Sequence, residues 1–152
     1  MVNSKTKIDF IVRGATKEDI PAIFNLVEEY GGKKNIDKIK TKQSIMALME
    51  YDGVFICLYG DYLIGGIAGI ILPCMFSNDY FYITNYLYIR EGFRYLTRKA
   101  IKELEMLLLP TKVTKIIFAV VENDYARQMQ RFFKILGYDP FETHMAKTVS
   151  IV

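Results

Sequence analysis

Five basic side chains gather between residues 90 and 103, directly after a run of aromatic and β-branched residues. Two acidic side chains accompany them, so this stretch alone carries a charge of +3, equal to that of the whole chain. The basic residues are Arg90, Arg94, Arg98, Lys99 and Lys102. If a helix begins here, its unpaired amide N–H groups and its dipole favour an anion such as a diphosphate. The solvated outer face of an ordinary amphipathic helix is the competing interpretation, and charge alone slightly favours it.

The cysteines and the histidine give little support for a metal site or for histidine-based catalysis. Cys57 and Cys74 are too few and too far apart for a zinc motif, and His144 is the single histidine. No metal site is therefore expected, and a structural role is favoured for His144. The lysine-rich stretch at residues 33–42 is interpreted as a solvated loop or helix face, with a phosphate or acidic partner as the lesser alternative.

Length and composition indicate one folded domain, residues 1–152. The 17.6 kDa chain is 51% hydrophobic and 24% charged, which excludes the disordered class. The longest apolar run, residues 62–76, is 15 residues with four Gly or Pro, short of the ~18 to 20 that a membrane helix needs. The N-terminus lacks the apolar core of a signal peptide. We expect a cytoplasmic protein that does not enter a membrane.

The first elements needed to hold these residues are a strand and two helices. Residues 8–13 alternate as a strand does, and Thr16 with Asp19 forms a capping-box-like start for a helix that ends at Gly31-Gly32. A short second helix ends near Tyr51.

The second half of the chain alternates strands and helices. Two strands flank the turn Gly60-Asp61, and residues 80–89 have the composition of a central strand with both faces covered. A helix closed by Pro110, a strand at 113–121, a helix ended by Gly137 and a last strand around 143–150, which includes His144, follow. The predicted order is β α α β β β α β α β.

Three collinear segments carry a resemblance to a known family. They are VRGATKEDIPAIFNLVEE near the start, LYIREGFR at the strand-to-helix junction, and VENDYARQMQRFFKILGYDP near the end. In this order and spacing they resemble the GNAT superfamily of acyl-CoA-dependent N-acyltransferases, over residues 8 to about 150. The last segment matches at Asn123, Phe132, Phe133, Leu136, Gly137 and Tyr138.

The resemblance implies an α/β fold of the GNAT type. Its sheet is mixed, mostly antiparallel and of six to seven strands, with helices on both faces. The strand at 80–89 diverges from the strand at 113–121, and the pantetheine arm of acetyl-CoA hydrogen-bonds to the open strand edge. The cofactor-binding residues that the resemblance implies are Leu87, Tyr88 and Ile89 on the strand, then Arg94, Tyr95, Leu96, Thr97, Arg98 and Lys99 for the diphosphate, and Asn123.

Three departures from the family pattern bear on this expectation. The diphosphate loop lacks its usual glycines and is about one residue short, so Thr97 is left to cap the helix or bind a phosphate oxygen. Phe133 stands where many members carry a Tyr that donates a proton to the leaving thiolate. Tyr125 and Tyr138 are the candidates to replace that Tyr, and a structural role is the competing interpretation for each. Since no carboxylate lies on residues 80–89, an attacking amine loses its proton through water, and the catalytic residues stay unknown.

Two functions from different classes follow. The first is an N-acyltransferase that moves an acetyl group from acetyl-CoA to an amine of a small molecule or protein. The second is a non-catalytic structural or binding protein of the same fold, as among GNAT-like proteins of phages, acting as a homo-oligomer or assembly subunit. A nucleic-acid-binding module ranks last, because it rests only on the +3 charge and the lysine-rich stretch.

Overall fold

The computed structural model describes residues 7–31, 36–120 and 123–149, and at Asn85 only the backbone. The chain divides into two compact units, residues 1–119 and residues 120–152. The sequence predicts a single domain, and this division into two units does not test that prediction.

Nine helices and strands follow one another in the described residues. They are β1 (Phe10–Gly14), α1 (Ile20–Gly31), α2 (Lys38–Glu50), β2 (Val54–Tyr59), β3 (Tyr62–Pro73), β4 (Tyr80–Ile89), α3 (Thr97–Leu108), β5 (Val113–Phe118) and α4 (Ala126–Ile135). This order agrees with the prediction up to α4. The predicted last strand is wrong where the chain is described, because residues 143–149 have no regular secondary structure and His144 lies there with its side chain 79% exposed.

The first unit is built on one sheet whose spatial order is β1-β2-β3-β4-β5. Consecutive strands from β1 to β4 pair antiparallel, and β4 pairs with β5 in parallel. The parallel pair requires a crossover, which α3 supplies. The mixed, mostly antiparallel α/β class is therefore confirmed, with five strands among the described residues.

Helices cover both faces of this sheet, as expected. Alternate residues of β2 point to opposite faces, so Phe55 and Cys57 pack on the side of α3. Their neighbours Val54 and Ile56 pack on the side of α1 and α2. Burial raises the pKa of the Cys57 thiol to about 12, which keeps it protonated and unreactive.

The corner between β1 and α1 is fixed by a carboxylate. The backbone N–H of Thr16 donates to Asp19 at 2.7 Å, which confirms the capping-box-like start at the short 3-10 turn preceding α1. The two terminal nitrogens of Arg13 also donate to Asp19, at 2.7 and 2.9 Å. These contacts, the Arg13 hydrogen bonds above all, lower the pKa of Asp19 to about 2.

The second unit contains α4. Phe133 is buried, and its ring meets the rings of Phe132 and Tyr138 at centroid distances of 5.5 Å each. Gly137 has a φ of +92°, and its N–H donates to the carbonyl of Lys134 at 3.0 Å. Because a residue with a Cβ is strained at such a φ, Gly137 ends the helix as predicted. In neither unit does a described helix have the length and apolar character that crossing a membrane requires.

Candidate functional site

The two halves of β4 have different neighbours. Residues 80–84 pair with β3 on one side and with β5 on the other. The last contact to the β5 side is the N–H of Ala119, which donates to the Thr84 carbonyl at 2.8 Å. Residues 86–89 pair with β3, and within the described part of the chain no strand pairs with their other side. The pairing between β4 and β5 thus ends at Thr84, and the predicted parting of the two strands before residue 90 stays a prediction.

A β-bulge at Asn85 separates the two halves. Thr84 lies opposite Gly69 and Tyr86 lies opposite Ala68, so Asn85 is an extra residue on β4. The Thr84 hydroxyl fills the interrupted ladder, because it donates to the Ala68 carbonyl and accepts from the Tyr86 N–H at 3.1 Å. A bulge bends its strand and increases the twist. It lies directly after Thr84, the last β4 residue that pairs with β5, which ends at Phe118.

The free edge of β4 carries outward-facing backbone groups. The N–H of Arg90 donates to the Ile64 carbonyl of β3 at 2.7 Å. Alternate residues of a strand direct their N–H and C=O groups to opposite sides, so those of Leu87 and Ile89 point away from β3. Tyr88, by contrast, directs its backbone toward β3. Of the three predicted strand residues, Leu87 and Ile89 therefore present the groups that an extended amide chain can pair with.

The loop from β4 to α3 is held to the core by two apolar side chains. Phe93 and Leu96 pack against the hydrophobic cluster under α3, and the Phe93 ring lies 5.5 Å from that of Tyr59. Between them runs the 3-10 turn Arg94–Leu96. Gly92, with a φ of +90°, lets the chain reverse before this turn. Of the predicted loop residues, Leu96 is thus a packing residue, whereas Tyr95 is 70% exposed.

The N-terminus of α3 is left without a side-chain cap among the described residues. Its N-cap is Leu96, and the hydroxyl of Thr97 instead donates to the Arg94 carbonyl at 2.7 Å. The prediction that Thr97 caps the helix is therefore wrong, and the alternative, that Thr97 binds a phosphate oxygen, stays a prediction. The Thr97 N–H donates to the Arg94 carbonyl in the preceding 3-10 turn, so the first amide of α3 is already paired with the backbone.

The five basic residues do not form one cluster. Arg94 and Arg98 are exposed and make no side-chain ion pair or hydrogen bond within the described residues. The Lys99 ammonium lies 5.5 Å from the centre of the Phe10 ring on β1, a cation–π contact. Arg90 forms an ion pair with Glu29 of α1 at 2.7 Å. Two arginines are thus free to receive an anion at the start of α3.

The remaining predicted residues lie in the second unit. The Asn123 side-chain oxygen accepts from the Tyr125 N–H at 2.8 Å, so Asn123 forms the turn that precedes α4. Tyr125 is 67% exposed. Tyr138 packs against Phe133, consistent with the structural role considered for it. The role of Asn123 toward a cofactor stays a prediction.

Sequence reasoning missed a cluster on the other face of the open edge. Tyr88 meets Tyr30 edge-on, with ring centroids 5.4 Å apart, and the Glu29 carboxylate lies beside its hydroxyl. Partial withdrawal from water raises the pKa of Tyr88, and the negative charge of Glu29 raises it further. Glu29 and Arg90 are 61 residues apart in the chain, so no local pattern joins them.

Solved structures share this arrangement of elements. A GNAT family acetyltransferase from Staphylococcus aureus has a TM-score of 0.71 and 13% identity, over 93% of this chain and 100% of that one. The chain has the GNAT fold. A possible acetyltransferase from Clostridium difficile 630 gives 0.75 at 16% identity, over 94% of this chain and 99% of that chain. An aminoglycoside acetyltransferase from an uncultured soil metagenomic sample gives 0.73 at 14% identity, over 94% and 100%.

These similarities are structural. No protein-family model and no curated protein matches the amino-acid sequence. At identities of 13% to 16%, the comparisons establish the GNAT fold alone. The chemistry of the site therefore has to be argued from the side chains and backbone groups of this chain.

Proposed function

We propose that this protein is an N-acyltransferase that transfers an acetyl group from acetyl-CoA to an amine. One observation carries the proposal: among the described residues β4 has no neighbouring strand beyond Thr84 on the β5 side, and the loop of residues 90–96 joins it to a helix that has no side-chain cap and has two exposed arginines near its start. The first feature suits the amide-rich pantetheine arm, and the second suits a diphosphate. The strand edge for the pantetheine arm and the helix start for the diphosphate thus follow one another in the chain, as the two groups do in acetyl-CoA.

The pantetheine arm pairs with the free edge as an additional strand does. Its amide groups exchange hydrogen bonds with the backbone of Leu87 and Ile89, which need no particular side chain for this purpose. Tyr88 lies between them, but its backbone groups point toward β3 and its ring packs against Tyr30 of α1.

The diphosphate site differs from one built on glycines. In place of several close amide contacts, the guanidinium groups of Arg94 and Arg98 supply charge and hydrogen-bond donors. Thr97 keeps an oxygen at the same turn, and the exposed Tyr95 ring offers a surface for the remainder of the cosubstrate. Lys99 adds charge nearby while its side chain stays over Phe10.

The transfer forms one bond and breaks another. The neutral amine nitrogen attacks the thioester carbonyl carbon, the C–N bond forms, and the C–S bond breaks to release CoA. The proton that the amine gives up reaches the departing thiolate through water, because Phe133 has no proton to donate. An N–H of the open edge is the donor proposed for the developing oxyanion.

The acceptor is proposed only as an amine of a small molecule or protein. Since one structure of the same fold is an aminoglycoside acetyltransferase, an aminoglycoside is a reasonable first amine to test. We place the reaction in the cytoplasm, where acetyl-CoA is available and where thiols such as Cys57 and Cys74, both free in this structure, stay reduced.

The alternative is a non-catalytic structural or binding protein, alone or as a subunit of an assembly. The observation that favours it is the diphosphate loop, which has no glycine from Arg94 to Lys99 and whose Leu96 is committed to the core. Such a protein needs no cosubstrate, so binding separates the two functions.

The deciding experiment measures binding of acetyl-CoA by calorimetry and by thermal unfolding. At a concentration of about 100 times Kd, a ligand specific for the folded state adds about 2.7 kcal/mol, or roughly 5 to 10 °C in Tm for a chain of this size. Release of free thiol in the presence of an amine then tests the transfer. No binding at millimolar acetyl-CoA would favour the structural alternative.

A further inference from the structure

Arg90, the residue that follows β4, makes four contacts with β3 and α1. Its backbone N–H donates to Ile64 at 2.7 Å, and its Nε donates to the Glu29 carboxylate at 2.7 Å. One terminal nitrogen donates to the Leu63 carbonyl at 3.0 Å. The guanidinium carbon lies 4.9 Å from the centre of the Tyr62 ring. Arg90 thus joins the end of β4 to both β3 and α1.

This arginine differs from the two that follow it. Its side chain is 17% exposed, whereas Arg94 and Arg98 are exposed to solvent. The planar guanidinium directs one N–H to a carboxylate and another to a carbonyl at the same time, and it also stacks on a ring. A lysine ammonium in this place cannot reproduce that geometry. The contacts therefore use what is particular to arginine.

Arg90 stands between the two parts of the proposed acetyl-CoA site. On one side is Ile89, the last residue of the open edge. On the other side, the N–H of Phe93 donates to the Arg90 carbonyl at 3.0 Å and closes the turn that begins the loop to α3. A displacement of Arg90 therefore moves both the open edge and the diphosphate loop.

We propose that Arg90 is a positioning residue for acetyl-CoA, which acts by fixing the open edge of β4 and the diphosphate loop relative to each other through Glu29, Leu63 and Tyr62. The inference rests on the proposed function and adds a residue that does not itself contact the cosubstrate. Binding of a two-part ligand is sensitive to the spacing of its subsites, so loss of the contacts reduces affinity without removing any ligand contact.

The variants Arg90→Gln and Glu29→Gln test this role, with Arg13→Gln as the matched control. Arg13 makes a comparable strand-to-helix-region ion pair, with Asp19, at the β1 corner. For each protein, Kd for acetyl-CoA is measured by calorimetry and Tm by thermal unfolding. We expect Arg90→Gln to raise Kd about tenfold and Glu29→Gln to raise it severalfold, whereas Arg13→Gln lowers Tm with Kd unchanged. Arg90→Lys should recover only part of the loss.

Glu29→Gln distinguishes an Arg90 that positions the two subsites from an Arg90 that binds the diphosphate directly. It also keeps the proposal testable if Arg90→Gln does not fold. If Arg90 bound the diphosphate itself, loss of its carboxylate partner would free it, and affinity would stay equal or increase. That result overturns the positioning role, as does equal Kd for wild type and Arg90→Gln. If the wild-type protein fails to bind acetyl-CoA, the proposed function fails and this inference fails with it. Hydrogen exchange at the amides of residues 91–96 provides a separate measurement, and we expect faster exchange in both site variants than in Arg13→Gln.

Discussion

The two halves of β4 are alike in sequence and different in surroundings. Residues 80–84 read YFYIT and residues 86–89 read YLYI, so both are aromatic and β-branched or aliphatic. The first half has a strand on each side, and Thr84 at its end is 1% exposed. The second half is paired on one side, and Tyr86 at its start is 52% exposed. Composition alone therefore does not decide whether a strand is enclosed by a sheet or forms a binding edge.

One inserted residue, Asn85, marks the boundary between the two halves. Beyond it β5 has ended at Phe118, and among the described residues no strand pairs with residues 86–89 on that side. An exposed strand edge is prone to pair with another chain, and proteins usually cover or shorten it. In the described part of the chain, the unpaired side of β4 is four residues long and leads into a basic loop, and the proposed function assigns it to an amide-rich, anionic cosubstrate.

The largest expected effect comes from placing proline in each half. Ile83 directs its N–H toward β3 within the fully paired half, so Ile83→Pro removes a ladder hydrogen bond in the middle of the sheet and should cost about 3 kcal/mol or more, enough to unfold much of the protein. Leu87 directs its N–H to the open side, so Leu87→Pro should leave the sheet folded. Circular dichroism and urea unfolding measure the difference.

The same pair tests the binding edge. Leu87→Pro removes a proposed donor to the pantetheine arm, and we expect its affinity for acetyl-CoA to fall about tenfold or more. Equal loss of folding in both variants contradicts the assigned backbone directions, and unchanged affinity of folded Leu87→Pro contradicts the use of this edge.

Thr84→Val should have the next largest effect, because it breaks the device that joins the two halves. The isosteric change leaves the Ala68 carbonyl and the Tyr86 N–H without the hydroxyl that connects them. We expect the free energy of unfolding to fall by about 1 to 3 kcal/mol. In the exposed Thr114→Val, whose hydroxyl contacts the Tyr80 carbonyl at 3.4 Å and hydrogen-bonds to Asp79, the change should stay within about 0.5 kcal/mol. Similar urea midpoints for the two variants would rule out a structural role for the Thr84 hydroxyl.

Charge reversal at the end of the open half should weaken binding while the fold is kept. Arg98→Glu replaces a free cation in the first turn of α3, and we expect a Kd for acetyl-CoA about tenfold higher, with a reduced dependence on salt. Lys40→Glu makes the same change in the first turn of α2, far from the proposed site in the chain, and should bind as wild type does. If both substitutions act equally, the diphosphate is not bound at α3.

The smallest expected effect is that of Asp19→Asn, which should change stability without changing the affinity for acetyl-CoA. The pKa of Asp19 is about 2 in the folded protein, against an ordinary value of 3.8. A lowered folded-state pKa stabilises the protein above the ordinary value, and the contribution is lost as pH falls from about 4 toward 2. At pH 7, Asp19→Asn should be less stable than wild type by about 1 kcal/mol, and this gap should close below pH 2. Urea unfolding across this range measures it, with affinity for acetyl-CoA at pH 7 unaffected.

Local patterns predicted most elements of the fold. The limits of β4 at Tyr80 and Ile89 and the helix end at Gly137 follow from runs of apolar residues and from single turn-forming residues. The β strand predicted around 143–150 failed where it is described, because its alternation is weak and a strand needs a neighbour to satisfy its backbone. Such a neighbour is not specified by the segment itself.

The site was predictable only in outline. The cations near residue 90 pointed to the junction between β4 and α3, but their sequence proximity did not show that Arg90 pairs with Glu29 or that Lys99 lies over Phe10. These partners come from α1 and β1, far away in the chain. Leu96 is predicted both in the apolar stripe of the helix that follows and among the cofactor-binding residues, and in the structure its side chain packs against the core.

The amino-acid sequence by itself determined the order and type of the elements, since hydrophobic period, caps and turn residues act over a few positions. It also determined the excess of positive charge at the start of α3. Only the tertiary structure decided that β4 has an open half, which backbone groups face outward, and which arginines are free. The physical reason is that a bulge, a strand partner and an ion pair are relations between distant segments, and their energies exist only once those segments meet.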